Sequence, residues 1–190
     1  LCKEWIYAAA LLHDLGKPAV HTVDNFGESH FMKHQAESEK IAREILSSMK
    51  ADNKTKEIVS LLVKYHDDRI ENTDACVKRW LGRIGEENFL RLIKVKKADI
   101  FAHRKEYVKC GIDMCDALIE TVNRIIAEAQ CFKLKDMNIN GNDIKSLGVK
   151  DGKMIGYVLN TLLDDVISEN VENKHDVLVE AALRIIDGKS

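Results

Sequence analysis

A chain of 190 residues with 45% hydrophobic and 32% charged side chains has the balance of an ordinary globular protein, which excludes intrinsic disorder and collagen-like repeats and leaves room for one sizeable core or two small ones. No apolar run approaches the ~20 residues that a membrane-spanning helix needs, so a cytoplasmic protein with no membrane contact is expected. A formal net charge of −2 provides no general attraction to nucleic acid, and any RNA contact has to come from local patches.

The opening Leu1-Cys2-Lys3-Glu4-Trp5 has no initiator methionine and no signal-peptide pattern, so it reads as a piece of a longer polypeptide. A single proline, Pro18, leaves little to interrupt helices, and the apolar spacing predicts an all-α protein. Ile6, Ala9, Ala10 and His13 fall at i, i+3, i+4 and i+7, predicting a first helix over 3–15 that Gly16-Lys17-Pro18 stops. Residues 18–33 carry β-formers around Asp24-Asn25-Phe26-Gly27, the pattern of a loop or short hairpin. Helices are then expected over 34–50, 53–66, 73–84, 86–102 and 104–130, with Asn53 and Thr73 as N-caps.

Periodicity lapses over 131–142, where Asn140-Gly141 signals a turn, and a boundary is placed there. A short helix over 142–147, a longer one over 151–168 and a last one over 174–187 follow, the second with an apolar face running from Ile155 to Ile167. The expected organisation is a helical bundle over 1–130 and a small helical tail over 131–190. Five cysteines, none at C-x-x-C spacing, read as reduced core thiols rather than disulfides or a zinc site.

Several ionisable residues occupy positions that the helical period assigns to the interior. His13 continues the Ile6/Ala9/Ala10 stripe, with Asp14 one step round; His66 follows Ile58, Leu61, Leu62 and Tyr65; Asp99 falls in the row Leu92, Val95, Ala102; and His34 precedes Ser38, Ile41, Ala42 and Ile45. A buried carboxylate without compensating charge costs several kcal/mol. A divalent cation held by imidazole nitrogens and carboxylate oxygens would compensate Asp14 and Asp99 and account for the histidines. The alternative for each residue is ordinary: a helix-end cap for His13 and Asp14, a satisfied core histidine for His66, and a Lys17 partner for Asp99.

The run Leu11-Leu12-His13-Asp14-Leu15-Gly16-Lys17-Pro18 resembles the HD superfamily of metal-dependent phosphohydrolases. With His21-Thr22-Val23-Asp24, Gly27-Glu28-Ser29-His30-Phe31, His34, Tyr65-His66-Asp67 and Lys97-Ala98-Asp99-Ile100, the sequence is similar to the HD region of bacterial CCA-adding enzymes and their poly(A)-polymerase relatives. The stretches 138–144 and 147–156 resemble the tail of the same enzymes. The resemblance implies an HD-domain bundle with a first metal on His13, Asp14 and Asp99, Mg, Mn or Ni being the candidate ions, and His34 and His66 serving a second metal or the substrate phosphate. It implies phosphomonoesters or 2′,3′-cyclic phosphates as substrates, or an architectural role. The family's pocket takes a further histidine from an upstream helix that this sequence does not include, and the nucleotide-adding head is likewise outside it, so CCA addition is not expected of this chain by itself.

Lys17, just past the first helix, is a candidate to neutralise charge on phosphate oxygens, or it pairs with the helix C-terminus. For a binding-module reading, the candidates for tRNA contact are Lys150 and Lys153, in the turn Gly148-Val149-Lys150-Asp151-Gly152-Lys153, where amides opening the next helix could hold a phosphate. Lys94, Lys96, Lys97, Arg104 and Lys105 are a second group, or simply a solvated face. A stand-alone HD hydrolase of free nucleotides is the remaining alternative, against which the tail speaks.

Overall fold

The computed structural model describes residues 3–102 and 105–188, the side chains of 105–107 excepted. Among these, the helices are α1 (Lys3–Leu12), α2 (His34–Ser48), α3 (Asn53–Tyr65), α4 (Asp74–Ile84), α5 (Glu86–Ala102), α6 (Lys105–Ala127), α7 (Gly141–Ser146), α8 (Gly152–Ile167) and α9 (His175–Asp187). The protein is all-α apart from one small hairpin, β1 (Thr22–Val23) with β2 (Ser29–His30), antiparallel with Thr22 opposite His30. Its turn is built by Asp24, whose carboxylate accepts from the amides of Phe26 and Glu28, while Gly27 takes a positive φ of 82°. No helix among the described residues is long and apolar enough to cross a membrane.

The chain divides into two compact units, one of residues 1–70 and 84–120, the other of 71–83 and 121–190. The bounds therefore differ from a single cut near 131, because α4 and the last turns of α6 pack with the tail residues. In the first unit α1 packs on α3 and α5, and α2 lies along α3. Ala9, Leu62, Val63, Phe89, Leu92 and Ile93 are fully or almost fully buried there. Trp5 fastens α1 outward, donating its indole N–H to Thr55 Oγ1 at 3.0 Å with the Arg91 guanidinium over its ring at 4.8 Å. The second unit has its own core, in which Ile144, Val158, Leu162, Leu178 and Ala182 are buried.

Helix ends depart from expectation in ways that local chemistry explains. Asp52, not Asn53, caps α3, its carboxylate accepting from the Thr55 amide at 2.9 Å. Thr73 meets the expected role, its hydroxyl accepting from Cys76 N at 3.3 Å. α2, α6 and α8 stop at left-handed Lys50, Ala129 and Glu169, each followed by a six-residue backbone closure such as Ala51 N to Leu46 O at 2.9 Å. Glycine is the usual residue at such stops, so these three ends carry no sequence signal. Of the described cysteines, Cys115 is buried, Cys76 and Cys131 are half-buried and Cys110 is exposed, so Cys110 is not a core residue; these four are free thiols, and Cys2 lies outside the described residues.

Candidate metal centre

The first helix ends at Leu12, three residues short of expectation, and His13–Gly16 form a turn leading into a 3₁₀ segment over Lys17–Val20. Pro18 disfavours helix in the residue before it, and Gly16 rests directly on the start of α2. A Cβ on Gly16 would fall 2.5 Å from both His34 O and Ser38 N, and its amide donates to Ser38 Oγ at 2.9 Å. That close approach brings His13 and Asp14 against His34, the first residue of α2. His66 stands at the C-terminal end of α3, just past Tyr65, and Asp99 lies in the last turns of α5.

The six residues singled out in this unit meet at one place. His13 Nε2 lies 3.3 Å from Asp14 Oδ2 and 3.3 Å from Asp99 Oδ1. Asp14 Oδ1 lies 3.3 Å from His34 Nε2 and 3.7 Å from His66 Nε2, and the two last nitrogens are 3.2 Å apart. Lys17 donates to Asp14 Oδ2 at 2.5 Å, so the lysine partners Asp14 and not Asp99. The ligand atoms of His13, Asp14 and His66 all lie within 4.8 Å of one another.

Each imidazole is oriented in the same way. Nδ1 of His13, His34 and His66 is bonded to the carbonyl three residues earlier, of Ala10, Phe31 and Val63, at 2.8, 3.0 and 2.7 Å. A carbonyl only accepts, so each Nδ1 carries a proton, and a ring holding that single proton presents a bare lone pair at Nε2. The lone pairs of His34 and His66 therefore face each other at 3.2 Å, and all three face the carboxylates of Asp14 or Asp99 at 3.3–3.7 Å. Such an array is repulsive unless a proton or cation sits within it. Ligand atoms about 2.0–2.2 Å from one ion are separated by roughly 3–3.5 Å, which is the spacing found. His13 Nε2 and Asp14 Oδ1 are buried with no hydrogen-bond partner, so the donor set and its unsatisfied atoms fit a divalent cation.

Protonation is the poorer solution at His66. Burial pushes its pKa down, with His13 and His34 adding to the effect against the pull of the Val63 carbonyl. For Asp14, burial opposes ionisation, but the hydrogen bond from Lys17, helped by the Lys17 charge and the neighbouring imidazoles, outweighs it and holds the carboxyl below its ordinary range. A neutral His66 offers an acceptor only, which suits a cation better than a phosphate oxygen. Lys96 holds it from behind, its ammonium donating to the carbonyls of His66 and Asp68 at 2.6 and 2.7 Å.

A pH dependence follows with a definite sign. Unfolded His66 takes up a proton near pH 6.5, whereas the folded site resists it, so its contribution is present above that pH and is lost as pH falls toward the lower folded value. Asp14 adds a loss only at more acid pH, below the ordinary carboxylate range. With metal ions chelated, the urea midpoint should decline from about pH 6.5 downward; a flat profile between about pH 7 and 5 would contradict the assignment.

Lys150 and Lys153 lie in the second unit and are exposed. The amides that were to hold a phosphate at the start of α8 are already used, since the Asp151 carboxylate accepts from Lys153 N and Met154 N at 3.2 Å each. Lys96 is committed to the two carbonyls above and Lys97 to Asp116, so neither is part of a solvated basic face. Arg104 and the side chain of Lys105 lie outside the described residues.

The fold and the site together give an all-helical protein with a histidine–aspartate cluster whose geometry and donor types fit a cation. The profile of the family described as "tRNA nucleotidyltransferase domain 2 putative" matches residues 30–182, and the chain belongs to that family. The matched span contains His34, His66 and Asp99 but not His13, Asp14 or Lys17. A CCA-adding enzyme of Ligilactobacillus salivarius (strain UCC118) is 38% identical over 56 residues, which is 29% of this chain and 14% of that protein. No solved structure matches.

Proposed function

We propose that the unit of residues 1–70 and 84–120 forms an HD-type metal-dependent phosphohydrolase region, and that the unit holding residues 131–190 forms the helical tail of a tRNA nucleotidyltransferase of the CCA-adding kind. The observation that carries the reading is the convergence of three Nε2 lone pairs and two carboxylates, with His13 Nε2 and Asp14 Oδ1 unpartnered. His13, Asp14 and Asp99 hold the divalent ion, joined by His66. When bound, Mg, Mn or Ni would polarise a phosphoryl oxygen and lower the pKa of a bound water. His34, at the start of α2 beside the cluster, is left to steady the phosphate of a phosphomonoester or 2′,3′-cyclic phosphate. Lys17, more than a third exposed, can exchange its Asp14 partner for a phosphate oxygen.

The test compares phosphate release and cyclic-phosphate opening, with added Mg²⁺, Mn²⁺ or Ni²⁺, between the wild type and a His13→Ala, Asp14→Ala double variant. The expected result is a loss of at least about a hundredfold, as for removal of catalytic acid–base or metal-positioning groups. Equal rates would end the proposal.

A second reading is a non-catalytic tRNA-binding body and tail. It is favoured by the family match, which covers the tail and leaves out the His13-Asp14 pair. Here charge reversal at Lys150 and Lys153 should weaken tRNA binding and flatten its salt dependence; binding indifferent to salt would count against it. The same match makes a stand-alone hydrolase of free nucleotides the weakest reading.

A further inference from the structure

The second unit contains a basic hollow that the histidine–aspartate site does not use. It is an open groove of about 610 Å³ between α4, the segment after α6, and α8. Four cations line it, Arg79, Arg83, Lys133 and Lys135, against one carboxylate, Asp164. That carboxylate is already neutralised, since Arg79 Nε donates to Asp164 at 2.8 Å and its Nη2 to Ser168 at 2.8 Å. Among the described residues no ion pair is found for Arg83, Lys133 or Lys135. A protein of net charge −2 thus concentrates three unneutralised cations in one groove.

The groove also carries an aromatic face and an apolar floor. Phe132 lies half-buried along one wall with the Lys133 ammonium 5.1 Å from its ring centroid, and Leu163 and Ile167 form the floor. Its shape depends on Gly82, where a Cβ would meet the Phe132 carbonyl at 2.7 Å, so the segment 131–135 can lie on α4 only because that side chain is missing. A neighbouring hollow of about 260 Å³ shares Phe132, Lys133 and Lys135, and adds the Asp136 carboxylate but no further cation, so the basic path is confined to the first groove. Cations that track a backbone, interleaved with an aromatic ring on which a base can stack, are the chemistry of single-strand nucleic-acid binding. A small-molecule pocket would be more enclosed.

We propose that this groove binds a short single-stranded nucleic-acid segment, with phosphates on Arg83, Lys133 and Lys135 and a base against Phe132. The site is independent of the hydrolytic reading, since it shares no residue with it. The test uses the full chain and fluorescence anisotropy of labelled oligouridylate and oligothymidylate at about 50 mM salt and above. Lys133→Ala with Lys135→Ala should weaken binding roughly tenfold and reduce the salt slope by about 1.4, the share of two phosphate contacts on a single strand. Phe132→Leu should weaken binding by about tenfold or more with the slope unchanged, as loss of a stacked base requires. Tighter binding of the ribose strand would assign RNA, and equal binding a site that ignores the sugar.

Three results would overturn the proposal: no binding by the wild type, a double-lysine variant within twofold of it, or equal displacement by poly-glutamate, which would reduce the groove to an acidic-peptide or general anion surface. A His13→Ala, Asp14→Ala variant should bind the strand unchanged, so failure of the hydrolytic reading and failure of this one remain distinguishable.

Discussion

Gly16→Ala is expected to destabilise the protein by about 2–4 kcal/mol and to weaken cation binding. Gly16 has φ −79° and ψ −14°, an ordinary right-handed conformation. On backbone grounds alone, alanine there should stabilise by about 0.4–1 kcal/mol. The contacts predict the opposite sign. The new Cβ would lie 2.5 Å from His34 O and Ser38 N, both backbone atoms at the start of a fifteen-residue helix that cannot shift singly. Either α2 moves, taking His34 with it, or the 13–16 turn moves, taking His13 and Asp14. The buried bond from Gly16 N to Ser38 Oγ is stretched in both cases. Urea unfolding in the presence of chelator measures the first effect and calorimetric titration with Mn²⁺ the second. A variant as stable as the wild type with unchanged affinity would show that the turn does not depend on this approach.

Asp14→Asn separates charge from shape. Asparagine matches the carboxylate in size, but the anion that faces His13, His34, His66 and Lys17 disappears. Divalent-ion affinity should fall by roughly a hundredfold or more, beyond the 10–100-fold typical of losing an outer partner of a ligand. Without metal, stability near neutral pH should change by no more than about 1 kcal/mol, because the partly exposed ion pair with Lys17 is weakened by solvent screening. A large loss of stability with little loss of affinity would mean that Asp14 is a structural cap of the turn instead of a ligand.

Much of the site was legible residue by residue. His13, Asp14, His34, His66 and Asp99 could be singled out because each interrupts or extends an apolar row, and ionisable groups there need a partner. Their division into roles was less legible. Sequence spacing says nothing about tautomers, and it is the Ala10, Phe31 and Val63 carbonyls that turn every Nε2 inward. The pairing of Lys17 with Asp14, the use of Lys96 to hold the end of α3, and the capture of the α8 amides by Asp151 likewise depend on which groups are nearest in space. The groove at Arg83, Phe132, Lys133 and Lys135 had a weak signal at most, since its cations come from segments 50 residues apart and the intervening α4–α6 geometry is non-local.

The helical class, the approximate span of each element, the one hairpin with its Asp24–Gly27 turn, and the burial of His34 and His66 were set by the sequence alone, whereas Asp14 and Asp99, expected inside, are each about a third exposed. The former are local properties: period, proline and turn chemistry act within a few residues. Only the tertiary structure decided that the first helix stops at Leu12, that Lys50, Ala129 and Glu169 end helices without glycine, and that α4 packs with the tail residues. It also decided that five ligand-type side chains from four segments share one point, because that convergence rests on Gly16 touching the backbone of α2, a contact between residues 22 apart that no pattern along the chain encodes.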